Sequence, residues 1–142
     1  MSIRRLAAAD IPSAATLLAE LGYPTSVAAL TKRLEAIAAN PDDAVFVAEE
    51  EGKVLGLLSV HSFEMIHRAG RLGRITALVV AASDRGRGLG TELLGAAESH
   101  LRAKGCVKLE VTSGESRSAA HDFYAVHGYL EERVRFTKSS DI

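Results

Sequence analysis

The sequence predicts an α/β (α+β) protein built on a mixed, mostly antiparallel central sheet flanked by helices. Three observations carry this. The hydrophobic period switches between helical and strand-like several times along 142 residues, a length that suits one domain over 1–142 with its own core. Three strand-like runs follow one another between residues 44 and 81 with a turn and a loop but no helix between them, which implies antiparallel pairing. A strand, a helix and a strand over 72–111 imply one parallel pair, because a helical crossover returns the chain in the same direction.

Residues 2–5 suffice for a leading strand. Asp10 is placed to cap a helix with Pro12 in its first turn, where proline lacks only an N–H that would be unpaired anyway. Ala14, Leu17, Leu18 and Leu21 form its apolar stripe, and Gly22-Tyr23-Pro24 ends it. Thr25 or Ser26 caps a second helix with Val27, Leu30, Leu34, Ile37 and Ala38 inward, stopped by Asn40-Pro41-Asp42-Asp43. Residues 44–48 and 53–61 read as strands joined by Glu49-Glu50-Glu51-Gly52, a hairpin whose glycine suits a positive φ; Gly56 marks a candidate bulge. A loop over 63–71 leads into a strand over 72–81. Leu89, Leu93, Leu94, Ala97 and Leu101 then recur at helical spacing up to Lys104-Gly105. Val107, Leu109 and Val111 alternate as a strand, residues 112–115 turn, and a helix over 116–127 closes on Gly128. Val134 and Phe136 belong to a final strand, and 139–142 to a tail.

Composition narrows the function classes. Apolar residues at 47% and charged ones at 25% are ordinary for a globular protein, and a net charge of −1 supplies no field for nucleic acid or membrane. Local charge differs: residues 68–87 hold five arginines against the single acid Asp84. That excess suits a polyanionic ligand, and for Arg68 and Arg71 a solvated basic face serves equally well. The lone Cys106 excludes an internal disulfide and a cysteine zinc cluster, and among Val107 and Leu109 it reads as a buried, inert thiol. His61, His67 and His100 lack metal-ligand spacing, and His121 and His127 lie six apart, so no metal is expected. Arg4 and Arg5 precede only a short apolar stretch broken by Asp10 and Pro12, which is not a secretory leader, and no run has the length of a membrane span. A cytoplasmic location is the expectation.

Chemistry concentrates between Leu78 and Thr91. The apolar run Leu78-Val79-Val80 gives way to Arg85-Gly86-Arg87-Gly88-Leu89-Gly90-Thr91 at the start of a helix. Glycines let a backbone approach a ligand in conformations a side chain forbids, and the helix start offers unpaired N–H groups and a positive dipole end. An anion, most simply a phosphate, fits there. A P-loop would need a lysine that this turn lacks, and the dinucleotide pattern would need glycine where Thr91 stands. Arg85-x-x-Gly88-x-Gly90, preceded by Leu78-x-Val80, is instead similar to the coenzyme A signature of the GNAT superfamily of N-acetyltransferases. In that family the loop amides hold the CoA pyrophosphate and the preceding strand lies along the pantetheine arm. The parallel strands splay apart to admit acyl-CoA. The predicted order of elements agrees with that fold over nearly the whole chain.

A second motif supports the resemblance. Ala120-x-x-Phe123-Tyr124-x-x-x-Gly128-Tyr129 looks like the family's C-terminal signature, whose tyrosine acts as general acid toward the departing thiolate; a phenol protonated at neutral pH suits that task. Ala120, Phe123, Tyr124 and His127 also share one helix face, where aromatic residues equally serve a core. The resemblance extends the cofactor contacts to Arg117, Ala120, Phe123 and Tyr124, with Arg117 where many relatives have asparagine. It also implies an N–H near Val80 that polarises the thioester carbonyl. Two departures stand out. Thr76 occupies the place of a frequent catalytic carboxylate, and Ala82 that of a common proline. Glu110, His61, Glu64 and His121 are the candidate bases, Glu110 first. A water chain or a partly deprotonated amine would make any of them unnecessary.

The resemblance therefore implies an acetyl-CoA-dependent N-acetyltransferase acting on a primary amine of a small molecule or peptide. The two helices at the start of the chain and the 63–71 loop would shape the acceptor pocket. Leu21-Gly22-Tyr23-Pro24 resembles a segment of small bacterial members, some similar to aminoglycoside acetyltransferases. Relatives frequently dimerise, so a second copy is a candidate partner. A non-catalytic acyl-CoA-binding module, favoured by Thr76, is the alternative; a nicotinamide-binding oxidoreductase is a remote third.

Overall fold

The computed structural model describes residues 1–112, 118–132 and 135–140. They form two compact units, Met1–Val111 and Thr112–Ile142. The first opens with β1 (Ser2–Arg5) and a 3-10 turn at Ala8–Asp10 that runs into α1 (Ile11–Leu21). The sequence suggests Asp10 as the cap of α1, but its side chain makes no capping bond to that helix. The 3-10 turn gives Asp10 helical dihedrals, so its carboxylate reaches back, accepting from the Ala7 N–H at 2.7 Å and from Arg4 at 2.6 and 2.9 Å. Arg4 also donates to Glu49 at 2.8 Å, tying the sheet edge to the helix entry. Gly22, at φ 105°, closes α1 in the left-handed conformation that glycine adopts most readily.

Ser26 caps α2 (Val27–Ala38), its hydroxyl accepting from the Ala29 N–H at 3.1 Å. Leu30 is buried and Leu34 and Ile37 are partly so; Val27 and Ala38, read as inward, are exposed because they lie on the terminal turns, past the sheet contact. β2 (Asp43–Glu50) runs two residues further into the turn than its hydrophobic run suggests, and β3 (Lys53–Glu64) starts where expected but continues to Glu64, into the stretch read as a loop. Glu50 pairs with Lys53, so the predicted four-residue connection shrinks to Glu51-Gly52, both at positive φ. That is the backbone of a two-residue turn whose twist matches its strands. β4 (Arg71–Val80), α3 (Leu89–Ala103) and β5 (Cys106–Val111) follow, and the strands order as β1-β2-β3-β4-β5, antiparallel except for β4 with β5.

Two bulges interrupt the antiparallel part of this sheet, and a third register shift, between Arg71 and Leu72, leaves Val107 of β5 without a β4 partner. One inserts Leu55 into β3, since Ala48 faces Gly56 while Glu49 faces Val54. Gly56 itself is small for another reason: a Cβ there would stand 2.9 Å from Leu93 Cδ1 on α3. The other bulge inserts Thr76 into β4, since Ser59 faces Ala77 while Val60 faces Ile75. An extra residue reverses which face the following side chains take. Ile75 thus sits beside Val60, whereas Val79 sits beside Leu57 in the core against α1 and α2. That core joins Ile11, Ala14, Leu17 and Leu30 to Val45, Val47, Leu57 and Val79. On the opposite face Leu93, Leu94, Ala97 and Leu101 of α3 are fully buried, as their helical spacing predicts.

In the second unit α4 spans Ser118–Val126. The Gly128 N–H donates to the Ala125 carbonyl at 3.1 Å and the Tyr129 N–H to the Tyr124 carbonyl at 3.0 Å, with Gly128 at φ 89°. This is a Schellman ending, and the Tyr124 and Tyr129 rings supply its apolar contact at 5.7 Å. The sequence suggests a last strand through Val134 and Phe136. Val134 lies outside the described residues; Phe136 is exposed and its neighbours over 135–139 form no strand, with no apolar alternation to bury.

Candidate active site

The parallel pairing of β4 and β5 runs from Arg71 beside Cys106 to Ile75 beside Val111 and stops there. Beyond Ile75 the β4 edge has no β5 partner among the described residues, so Leu78, Val79 and Val80 present an open strand edge. Val79 buries its side chain in the core and has only its backbone to offer; Leu78 and Val80 are half-buried. A strand edge of this kind can pair with the amides of an extended ligand.

After Val80 a short 3-10 turn at Ala82–Asp84 leads into Arg85-Gly86-Arg87-Gly88 and the first turn of α3. Gly86 and Gly88 have φ of 80° and 83°, and a Cβ at either would meet nothing within 4 Å. The glycines therefore serve backbone conformation, and the space over them is open. Gly88 is the N-cap of α3 and has no side chain to cap it, so the amides at Leu89, Gly90 and Thr91 begin a 15-residue helix at its positive end. Arg87 is anchored backward: it donates to Glu50 at 2.6 and 2.9 Å and to Asp84 at 2.8 Å, which raises its pKa further. Arg85 donates Nε to the Val80 carbonyl at 3.2 Å and makes no ion pair among the described residues. Its charge is available to a ligand where that of Arg87 is spent on holding the turn. A diphosphate on an extended arm fits these groups: open space over two glycines, a helix start with no side chain at its N-cap and, among the described residues, a guanidinium without an ion pair and a strand edge without a β5 partner.

A cavity of about 270 Å³ opens on the α2 face of the same unit, lined by Ile37, Asp43, Ser59, His61, Arg74 and Thr76 among others. Asp43 and His61 are register partners on β2 and β3, and Asp43 Oδ1 lies 2.6 Å from His61 Nδ1. Ser59 and Thr76 share a hydroxyl hydrogen bond at 2.5 Å, made possible by the bulge that sets Thr76 beside β3. His61 stacks on Phe63 at 5.6 Å, Arg74 lies over the Phe63 ring at 5.3 Å, and Arg74 Nε donates to Glu110 at 2.5 Å. Glu110 is thus ion-paired, and Glu64 pairs with Arg71 at 3.3 Å. Asp43 and Ser59 carry no sequence signal of a site, and Arg74 only its share in the local arginine excess; strand register brings them here.

The remaining candidates sit as follows. Ala120, Phe123 and Tyr124 lie on α4 in the second unit, with His121; Tyr124 is half-buried, edge-on to Phe123 at 5.3 Å. Arg117 lies outside the described residues. Cys106 is only half-buried and Val107 is exposed; burial still pushes the Cys106 thiol pKa up, which keeps it unreactive. Among the described residues no three His, Cys, Asp or Glu side chains gather as a metal site, and no helix is long and apolar enough to cross a membrane.

The mixed five-stranded sheet with one parallel pair, the glycine turn and a helix start without a side-chain cap define the fold class as that of the acyl-CoA N-acyltransferases. More particularly, the chain belongs to the acetyltransferase (GNAT) family, whose model matches residues 12–129. It is similar to an aminoalkylphosphonate N-acetyltransferase of Salmonella typhimurium, 37% identical over 93 residues covering 66% of this chain and 60% of that protein. It is also similar to glucosamine 6-phosphate N-acetyltransferase 1 of Oryza sativa subsp. japonica, 33% identical over 79% of this chain and 68% of that protein. The crystal structure of glucosamine-6-phosphate N-acetyltransferase from Arabidopsis thaliana superposes with a TM-score of 0.85 at 26% identity, covering 99% of this chain and 98% of the other.

Proposed function

We propose that this protein transfers the acetyl group of acetyl-CoA to a primary amine of a small molecule or peptide, by direct attack within one ternary complex. The observation that carries this is the glycine turn at Gly86 and Gly88, with open space over both glycines, leading into α3 at the end of a β4 edge that has no β5 partner among the described residues. When bound, acetyl-CoA supplies an activated thioester carbonyl. The amides of 86–91 and the Arg85 guanidinium hold its diphosphate, Leu78 to Val80 align its arm, and an N–H near Val80 is aimed at the carbonyl oxygen. Arg117, Ala120 and Phe123 are proposed as further contacts from their place in the second motif, and Tyr124 as the proton donor to the leaving sulfur. Holding both reactants in place does most of the work, so few groups need to change charge.

The relatives that act on an aminoalkylphosphonate and on glucosamine 6-phosphate support a small amine as acceptor and suggest where to begin. Calorimetry with acetyl-CoA, followed by CoA-thiol release with a panel led by aminoalkylphosphonates and amino sugars, tests the reading. Tyr124→Phe is expected to bind acetyl-CoA like the wild type and to lose about 10²-fold in kcat, the usual size of a general-acid contribution. A second reading rests on Thr76, which stands where a carboxylate is frequent: a non-catalytic acyl-CoA-binding module. Binding without turnover on any amine would establish it.

A further inference from the structure

We infer that His61 is the base that takes the proton from the acceptor ammonium, with Asp43 as the residue that positions it; this rests on the acetyltransferase reading above. An alkylamine is mostly protonated at neutral pH, and an ammonium has no lone pair with which to attack a carbonyl. A group that accepts this proton therefore raises the fraction of amine able to attack, and Thr76 cannot be one. The cavity beside Thr76 holds a group that can. Asp43 Oδ1 lies 2.6 Å from His61 Nδ1. An ionised carboxylate only accepts hydrogen bonds, so Nδ1 must carry the ring proton and Nε2 keeps its lone pair. Among the described residues Nε2 makes no hydrogen bond, and the His61 side chain is 36% exposed, so a ligand in the cavity can reach it.

The other charged groups around the imidazole are already engaged. Arg74 faces His61 from β4 and is bonded to Glu110 of β5; α2 contributes Ile37 to the cavity. Phe63 stacks under the imidazole and holds its plane. Glu110 already accepts from Arg74 at 2.5 Å, and a carboxylate is by nature a weaker base than an imidazole with a free nitrogen. The Ser59–Thr76 hydroxyl pair lies two residues along the same strand face from His61 and can bond the amine from that side. In the proposed step an ammonium N–H bond breaks, its electron pair stays on the amine nitrogen, and the proton forms the Nε2–H bond. Solvent removes it after turnover.

Three measurements decide this. Nitrogen-15 NMR of the unliganded protein should show neutral His61 protonated on Nδ1; protonation on Nε2 overturns the inference. The wild-type pH profile of kcat/KM should have an acid limb that vanishes in His61→Gln, with a loss of about 10²-fold and unchanged acetyl-CoA affinity by calorimetry. That affinity also certifies the fold of the variant. Asp43→Asn should keep the acid limb, lose about tenfold and shift the imidazole toward the other tautomer, which a purely structural role would not do. If His61→Gln keeps both limb and rate, or if Glu110→Gln removes the limb instead, the inference fails alone. If the wild type binds acetyl-CoA yet turns over no amine, the acetyltransferase reading fails and takes this inference with it.

Discussion

At the scale of single residues, Gly88 and Gly95 ask different things of the backbone in one stretch of chain, and substitution should separate them. Gly88 has φ 83° with open space around a would-be Cβ, so alanine there meets backbone strain and no clash. Left-handed backbone costs an L-residue about 1–2 kcal/mol, and relaxing it would turn the amides away from a diphosphate. Gly88→Ala should therefore lower Tm by about 3–8 °C and weaken acetyl-CoA binding about tenfold, read by calorimetry and thermal melts. Gly95, on the exposed side of α3, also meets nothing within 4 Å but has ordinary helical backbone. Gly95→Ala is the control with opposite sign, a gain of about 0.5–1 kcal/mol with unchanged binding.

At the scale of elements, the approach of α3 to the sheet is set by what the strands omit. Gly56 on β3 admits Leu93, and Gly73 on β4 admits Leu101, whose Cδ1 would stand 2.8 Å from a Cβ there. Leu93 is fully buried, and the Val79 carbonyl lies 3.3 Å from the Gly56 Cβ position, so neither neighbour can yield freely. Gly56→Ala should cost about 1–3 kcal/mol in urea unfolding, the usual penalty of overpacking. Combined with Leu93→Ala it should cost less than the sum of the two, because the smaller side chain vacates the contested space. Additive costs would show that α3 does not press on Gly56. The start of α3 also carries the proposed diphosphate amides, so a shifted helix should weaken acetyl-CoA binding as well.

At the scale of the folded molecule, two groups far from the proposed site link stability to pH. His100 on α3 packs edge-on against Phe46 at 5.5 Å; burial, then the nearby Arg5 and Lys104, lower its pKa from 6.5. A base with a depressed folded pKa stabilises the fold above its unfolded value, and that stability is lost as pH falls below 6.5, where the unfolded chain takes up the proton first. Asp10 is buried, and the Arg4 hydrogen bonds hold its pKa below 3.8. Its contribution is complete above that value and is lost as pH falls through the folded pKa. Chemical unfolding across pH should show two separate declines. His100→Gln should remove the one that begins near pH 6.5, and Asp10→Asn should remove the one below 3.8 while lowering stability at neutral pH. An unchanged upper decline in His100→Gln would mean that the imidazole titrates alike in both states.

What the sequence determined by itself is local. Apolar spacing named α3 and its five buried residues, Thr25 or Ser26 and Gly22 marked helix ends, and the turn from Arg85 to Thr91 suggested an anion site, because each of these depends on neighbours a few residues away. Only the tertiary structure decided the rest. The bulge at Thr76 reverses side-chain direction within β4, and nothing in that strand's own residues demands it. Asp43 meets His61, Arg74 meets Glu110 and Arg87 meets Glu50 across strands and turns, at separations of 18, 36 and 37 residues. Such pairs follow from register, which the whole sheet settles at once through burial on both faces. A one-residue slip would leave every helix intact and dissolve the cavity.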